Sequence, residues 1–213
     1  MTERLNQIFS DIPDCEVFAD VGCDHGYIAK KMIKTGKCRK VILSDISEKS
    51  LSKAENLLKT EIAKGVATAV VSDGFKNLPE CDCALIAGLG GEEIIRILTE
   101  APYLPEKLVL QPMKNVRKVR EYAVGSGYKI TGDRVFSEGY MFYDLITLVK
   151  GKDVLTSEEA EFGRGNLINP SAAFKNKIRW EIKCIDERIE TGDLKKHILA
   201  EFLKRREELK KYV

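Results

Sequence analysis

The sequence predicts a doubly wound α/β fold with a mostly parallel seven-stranded sheet, followed by an antiparallel helical hairpin. Three observations predict it. Short apolar or β-branched runs alternate with amphipathic stretches up to about Lys150, the last two runs flank a turn, and beyond Gly151 the periodicity becomes purely helical. A chain of 213 residues suffices for one well-cored domain plus an appendage, which divides as 1–152 and 153–213.

The first five strands are expected at Glu16 to Val21, Lys40 to Asp45, Val66 to Ser72, Ala84 to Gly88 and Lys107 to Gln111. Five βα units in succession build a parallel sheet. Tyr128 to Phe136 and Phe142 to Val149 follow, separated by Ser137-Glu138-Gly139, whose turn chemistry lets the last two strands run antiparallel. A parallel sheet ending in such a hairpin separates methyltransferase sheets from dinucleotide-binding ones. Ser47 can cap a helix running to about Ala63, with Leu51, Ala54, Leu57, Leu58 and Ile62 as its apolar stripe. A polar connector with Gly163, Gly165 and Pro170 leads to two helices, Ala172 to Glu190 and Leu194 to Tyr212, joined by Thr191-Gly192-Asp193. Their apolar positions (Ile178, Ile182, Ile185, Ile189; Leu194, Ile198, Phe202, Leu209) recur at the spacing of a helical hairpin.

Global charge names no partner, since 35 Lys and Arg face 33 Asp and Glu. The distribution is uneven: residues 171–213 carry a local +4, which favours a polyanion. Six scattered cysteines in a chain of this size suggest reduced thiols. Cys81 and Cys83 form a lone pair with only two histidines in the chain, so no metal site is expected. Without a basic-then-apolar leader or an apolar run of membrane-spanning length, the expectation is a soluble, cytoplasmic protein.

The most informative segment is Asp20-Val21-Gly22-Cys23-Asp24-His25-Gly26, at the end of the first strand. Glycines at a strand-to-helix junction permit a sharp turn and close approach of a ligand, while the helix start presents unpaired N–H groups. A nucleotide-type cofactor is expected on Asp20, Gly22, Cys23, Asp24, His25 and Gly26. Charge then selects among cofactors. A pyrophosphate suits a loop poor in carboxylates, yet this loop carries Asp20 and Asp24, the latter where a dinucleotide fingerprint has glycine. S-adenosyl-L-methionine brings an ammonium and a sulfonium, both favoured by carboxylates, and a carboxylate to which helix N–H groups donate. The domain therefore reads as a Rossmann-like class I S-adenosylmethionine-dependent methyltransferase.

Two further acids extend this crevice. Asp45 ends the second strand 19 residues after Gly26, where an acid accepts both ribose hydroxyls, with Ile46 beside it. Asp73-Gly74-Phe75 follows the third strand, with Asp73 placed to accept from the adenine amino group and Phe75 to cover the ring. The three acids are expected to face one crevice. The fourth strand ends in Ala87-Gly88-Leu89-Gly90-Gly91-Glu92, a loop nearly bare of side chains; Ala87 and Gly88 belong to the cofactor side and Gly90 and Gly91 to a flat acceptor. After Gln111-Pro112-Met113, the residues Lys114, Arg117, Lys118 and Arg120 read either as a solvated helix face or as a phosphate track.

These residues resemble the bacterial tRNA (adenine(22)-N1)-methyltransferases. The resemblance rests on Asp20-Val21-Gly22-Cys23-Asp24-His25-Gly26-Tyr27 (the family reads D-I-G-S-D-H-A-Y), Ala87-Gly88-Leu89-Gly90-Gly91 (A-G-M-G-G) and Leu110-Gln111-Pro112 (L-Q-P). It extends to Glu138-Gly139 with Tyr143, and to Glu161-Phe162-Gly163 before the two-helix tail. Gly26 departs from the family's alanine, and Met113 stands where asparagine is usual. The resemblance implies transfer of a methyl group from S-adenosyl-L-methionine to N1 of adenine 22 in the tRNA D-arm. It makes tRNA the partner, with no metal and no membrane, for a monomer or weak homodimer.

Within that reading Asp24 sits between sulfonium and acceptor, while Tyr27 and Gln111 hold the base; Gly90, Gly91, Pro112, Lys114, Arg117 and Lys118 meet the substrate. The chain lacks the N/D-P-P-Y of exocyclic-amine methyltransferases after the fourth strand. Adenine N1 already has a lone pair, so positioning suffices without a dedicated base. The tail cations Lys175, Lys177, Arg179, Lys183, Lys195, Lys196, Lys204, Arg205 and Arg206 are candidates to grip tRNA. Other readings are a methyltransferase with another RNA, protein or small-molecule acceptor, and a non-catalytic RNA-binding module, against which the Asp20, Asp45 and Asp73 set speaks. An NAD-dependent oxidoreductase is disfavoured by the acidic loop.

Overall fold

The computed structural model describes residues 1–192 and 194–213; Asp193, in the turn expected between the last two helices, lies outside the described residues. Seven strands form one sheet: β1 (Val17–Val21), β2 (Lys40–Asp45), β3 (Ala67–Val71), β4 (Cys83–Leu89), β5 (Lys107–Pro112), β6 (Tyr128–Glu138) and β7 (Met141–Lys150). The order is β3-β2-β1-β4-β5-β7-β6, parallel through β5 and antiparallel at the β5/β7 and β6/β7 pairs. The order reverses between β1 and β4, and ligands of open α/β sheets bind beyond the strand ends at that point.

Alternation along the strands divides the core. Phe18, Val41, Leu43, Leu85 and Val109 face helices α1 (Glu3–Asp11), α2 (Tyr27–Thr35) and α3 (Glu48–Leu57). Ala19, Val21, Ile42, Ile86, Leu108 and Leu110 face α5 (Gly91–Thr99) and α6 (Val116–Gly125), the helices after the short α4 (Lys59–Ala63). The central strands β1, β2, β4 and β5 are thus buried on both faces, as the interior of a parallel sheet requires.

Four features differ from the sequence expectation. Helix α1 was not anticipated; Thr2 caps it, Leu5, Ile8, Phe9 and Ile12 pack it on the sheet, and Arg134 of β6 bridges Asp11 at 2.7 Å. No helix lies between β3 and β4, so the third βα unit is missing. Phe75, Leu78 and Cys81 of the connecting loop fill the space instead. The helix from Ser47 breaks after Leu57, whose carbonyl accepts from Lys30 Nζ at 2.8 Å. The connector before Pro170 folds into α7 (Ser157–Phe162), started by a Thr156–Glu159 capping box, and α8 (Arg164–Ile168).

The tail is the expected hairpin, α9 (Ala172–Glu190) and α10 (Lys196–Leu209), which docks on β6 through Phe174, Ile178 and Leu209 against Val135. Beside that patch Arg120 is fully buried, pairing with Asp133 at 2.9 Å and Asp144 at 3.0 Å, and Asp144 also accepts from Lys177 of α9. Arg120 therefore ties the sheet to the tail and is not part of a surface phosphate track.

Candidate active site

At the reversal point the β1–α2 loop turns sharply. Gly22 and Gly26 hold φ of +77° and +69°, and Asp24, an L-residue, holds +44°. The Gly22 and Cys23 amides donate to the Ser44 carbonyl at 2.8 and 2.9 Å, which pins the loop to the end of β2. Gly26 must be small as well as left-handed, since a Cβ would meet Ala54 at 3.0 Å and Leu58 at 3.1 Å. Around this loop lies a cavity of about 390 Å³ lined by Asp20, Gly22, Cys23, Asp24, His25 and Tyr27 on one side and by Ala87, Gly88 and Arg4 on the other.

The acids in and around it are electrostatically distinct. Asp20 is buried, and burial pushes its carboxyl up to about 7, against the pull of the Ala29 backbone N–H and with the Asp45 charge adding to the rise. Asp24 stands at the exposed rim. Its slight burial acts upward, but hydrogen bonds from His25 (2.6 Å) and Lys53 (3.3 Å) hold it below the usual carboxylate value. Asp45 accepts from the Asp24 amide at 3.3 Å and the Ser47 amide at 2.8 Å, and Ile46 next to it is 70% exposed, an apolar surface open to a ring.

A scan against protein families matches residues 1–146 to a methyltransferase domain. A Mycoplasma pneumoniae protein provisionally named as a tRNA methyltransferase is 32% identical over 155 residues, 70% of this chain and 71% of its own length. The chain belongs to the methyltransferase-domain family. A Bacillus subtilis relative, named tRNA (adenine(22)-N(1))-methyltransferase, is 24% identical over 178 residues, 81% of this chain and 75% of that one. Among solved structures, Mycoplasma capricolum TrmK in complex with S-adenosylhomocysteine superposes with a TM-score of 0.88 at 24% identity, covering 100% of this chain and 97% of that one.

The residues present suit the cofactor this methyltransferase family uses. A Cβ on Gly22 would meet nothing within 4 Å, so open space faces the loop, and the donor set is two acids for cations plus bare backbone. S-adenosyl-L-methionine would be held by Asp20, Gly22, Cys23 and Gly88 at its amino-acid end and by Asp45 and Ile46 at its adenosine.

Several expected site residues prove to be elsewhere. Phe75 is 1% exposed and packs edge-on to Tyr103, so it is core and cannot cover an adenine ring. Asp73 does not point into the cavity: Arg96 binds its two oxygens at 2.6 and 3.1 Å and Lys76 at 2.7 Å, holding the carboxyl far below its ordinary value. Gly74, at φ +64°, is needed because a Cβ would strike Ile97 at 2.8 Å. The bareness of Gly91 is likewise explained by packing, for a Cβ would lie 2.5 Å from the Lys114 carbonyl oxygen, and Gly90 lies under the Lys114 side chain.

Gln111 is fully buried, Pro112 is buried beside it, and neither lines the cavity. The side-chain oxygen Oε1 of Gln111 instead accepts from Arg4 Nε at 2.9 Å and Arg4 Nη2 at 2.5 Å. Arg4 is the site residue that sequence reading missed. Its signal was the Leu5, Ile8, Phe9, Ile12 spacing behind Thr2, which announces a helix that lays Arg4 across the sheet end. Of the expected substrate cations, Lys114 has no ion pair among the described residues, whereas Arg117 pairs with Glu121 and Lys118 with Glu92 on the surface.

Proposed function

We propose that this protein transfers a methyl group from S-adenosyl-L-methionine to N1 of adenine 22 in the D-arm of tRNA. The observation that carries the reading is the cavity at the strand-order reversal, which joins buried Asp20, the Gly22 turn and rim Asp24 to bare Gly88 in a chain of this family. The bound cofactor supplies a methyl group on a sulfonium.

Asp20 holds the ammonium at the cavity floor, and Asp45 accepts from the ribose hydroxyls. Asp24, ionised at neutral pH by its contacts with His25 and Lys53, sits at the mouth and accepts from the adenine amino group, orienting N1 toward the methyl. Tyr27, 45% exposed and stacked on His25 at 5.5 Å, offers a face to the incoming base. N1 needs no deprotonation, so these residues act by alignment. Because N1 lies on the pairing edge, the base must leave its stack to reach the mouth.

Exposed Lys114 and the weakly paired Arg117 and Lys118 would meet D-arm phosphates, since exposed ion pairs yield readily to competing anions. In the tail, Lys177, Arg205 and Arg206 are engaged with Asp144, Glu161 and Asp186, and Lys183 with Glu187, which leaves Lys175, Arg179, Lys195, Lys196 and Lys204 as the better tRNA contacts.

The test is methylation of unmodified tRNA transcripts with S-adenosyl-L-methionine, followed by mass spectrometry of the nucleosides and primer extension to map the site. 1-Methyladenosine at position 22 is expected. Methylation of a different nucleoside or position, or of a non-tRNA acceptor only, overturns the reading.

A further inference from the structure

Arg4 occupies an unusual place for a cation. Two of its N–H donors are fastened to one side-chain oxygen, Oε1 of fully buried Gln111, and its guanidinium lies 5.4 Å from the Tyr143 ring centroid. Its backbone amide donates to Glu138 at 2.9 Å. No ion pair among the described residues includes it. It lies directly over Gly88, where a Cβ would come within 2.9 Å of Nη2. A neutral partner therefore orients the fork without an opposite charge, and Nη1 makes no hydrogen bond among the described residues.

The cavity wall carries one permanent cation, Arg4, facing two acids, Asp20 and Asp24, across the Gly22 and Gly88 turns. That pattern complements a zwitterion: an ammonium on buried Asp20 and a carboxylate on the guanidinium, with Asp24 left at the mouth. We infer that Arg4 is the receptor for the carboxylate of the cofactor's amino-acid end and that Gln111 is its positioning residue. The inference rests on the cofactor site proposed above. A tRNA phosphate is the other anion in the reaction, but the cation proposed for it is exposed Lys114, whereas Arg4 is tethered on the cavity wall by Gln111. A guanidinium fixed by a neutral acceptor keeps its charge for a ligand; one paired with a carboxylate would not.

The test is calorimetric titration of the purified protein with S-adenosylhomocysteine and with 5′-deoxy-5′-methylthioadenosine, which has the adenosine and sulfur but no amino-acid end. Arg4→Met is expected to weaken S-adenosylhomocysteine by about 10- to 100-fold, the worth of a charged hydrogen bond, and to leave methylthioadenosine within about twofold. Gln111→Glu should do the same, because a carboxylate beside Arg4 claims its charge. Unchanged S-adenosylhomocysteine affinity in Arg4→Met overturns the inference, as does an equal loss for both ligands, which would make Arg4 a mere support of the pocket. Retained S-adenosylhomocysteine affinity with a tRNA salt slope reduced by about one would assign Arg4 to a phosphate instead. Failure of the unaltered protein to bind S-adenosylhomocysteine would overturn the cofactor site itself, a distinct result.

Discussion

The guanidinium of Arg120 lies against both carboxylate oxygens of Asp133, each contact 2.9 Å, with both side chains sealed from solvent. Its remaining donors reach Asp144 and the carbonyls of Ala160 and Glu161, so one side chain joins α6, both strands of the terminal hairpin and α7. Removing one partner of such a pair strands a buried charge. Arg120→Met should cost about 3–5 kcal/mol in denaturant unfolding, while surface Arg117→Met should cost under about 1 kcal/mol. Equal losses in the two variants would show that the network contributes nothing.

Asp20 makes ligand binding depend on pH. Burial raises its carboxyl from 3.8 to about 7, so the free protein holds a proton there up to neutrality. A ligand ammonium favours the ionised form and lowers that value, so binding between the two values releases a proton. Affinity for S-adenosylhomocysteine should therefore rise with pH up to about 7 and then level off. Proton release is read as a dependence of calorimetric heat on the ionisation enthalpy of the buffer. In Asp20→Asn the release should vanish, and because ionising buried Asp20 costs the free protein stability as pH rises above 4, this variant should gain up to ~4 kcal/mol near pH 8.

Asp24→Ala should lower methyl transfer by about 10²-fold or more, the scale of misaligned reacting atoms. Cofactor affinity and the unfolding midpoint should change little, because the carboxylate stands at an exposed rim. Methylation close to that of the unaltered protein would remove Asp24 from the reaction.

Phe75→Leu and Gly91→Ala separate packing from ligand contact. Each should destabilise the fold, Gly91→Ala by about 1–3 kcal/mol as a case of overpacking against the Lys114 carbonyl. Neither should alter S-adenosylhomocysteine affinity measured below the unfolding transition. A selective loss of affinity in Phe75→Leu would restore that ring to the adenine site.

Lys114→Ala should weaken tRNA binding and reduce the slope of log affinity against log salt by about one. An unchanged slope would mean that no phosphate reaches the β5–α6 turn.

The strands were legible because a sheet buried on both faces demands unbroken apolar runs, and Lys40 to Asp45 needed no adjustment. The β1–α2 loop was legible because its glycines and acids are adjacent in the chain. What failed was direction. Asp73-Gly74-Phe75 matched the position of an adenine-binding turn, yet Arg96, 23 residues away, captures the acid, and the missing helix between β3 and β4 draws Phe75 inward. Gln111 was placed at the correct strand end but assigned to the substrate, since its partner Arg4 is 107 positions earlier in an unread helix.

The sequence by itself determined the βα succession, the antiparallel last strands, the helical tail and the acidic turn at Asp20 to Gly26. All of these are written in local periodicity and in neighbouring residues. Only the tertiary structure decided which side chains reach the cavity. Strand parity puts Gln111 on the same face as Val109, the α1 face, where Arg4 meets it; Asp73 lies beside α5 on the other face. Burial and charge pairing between distant segments turned one acid up, turned another down, and left Arg4 at the cavity wall outside the ion pairs of the described residues.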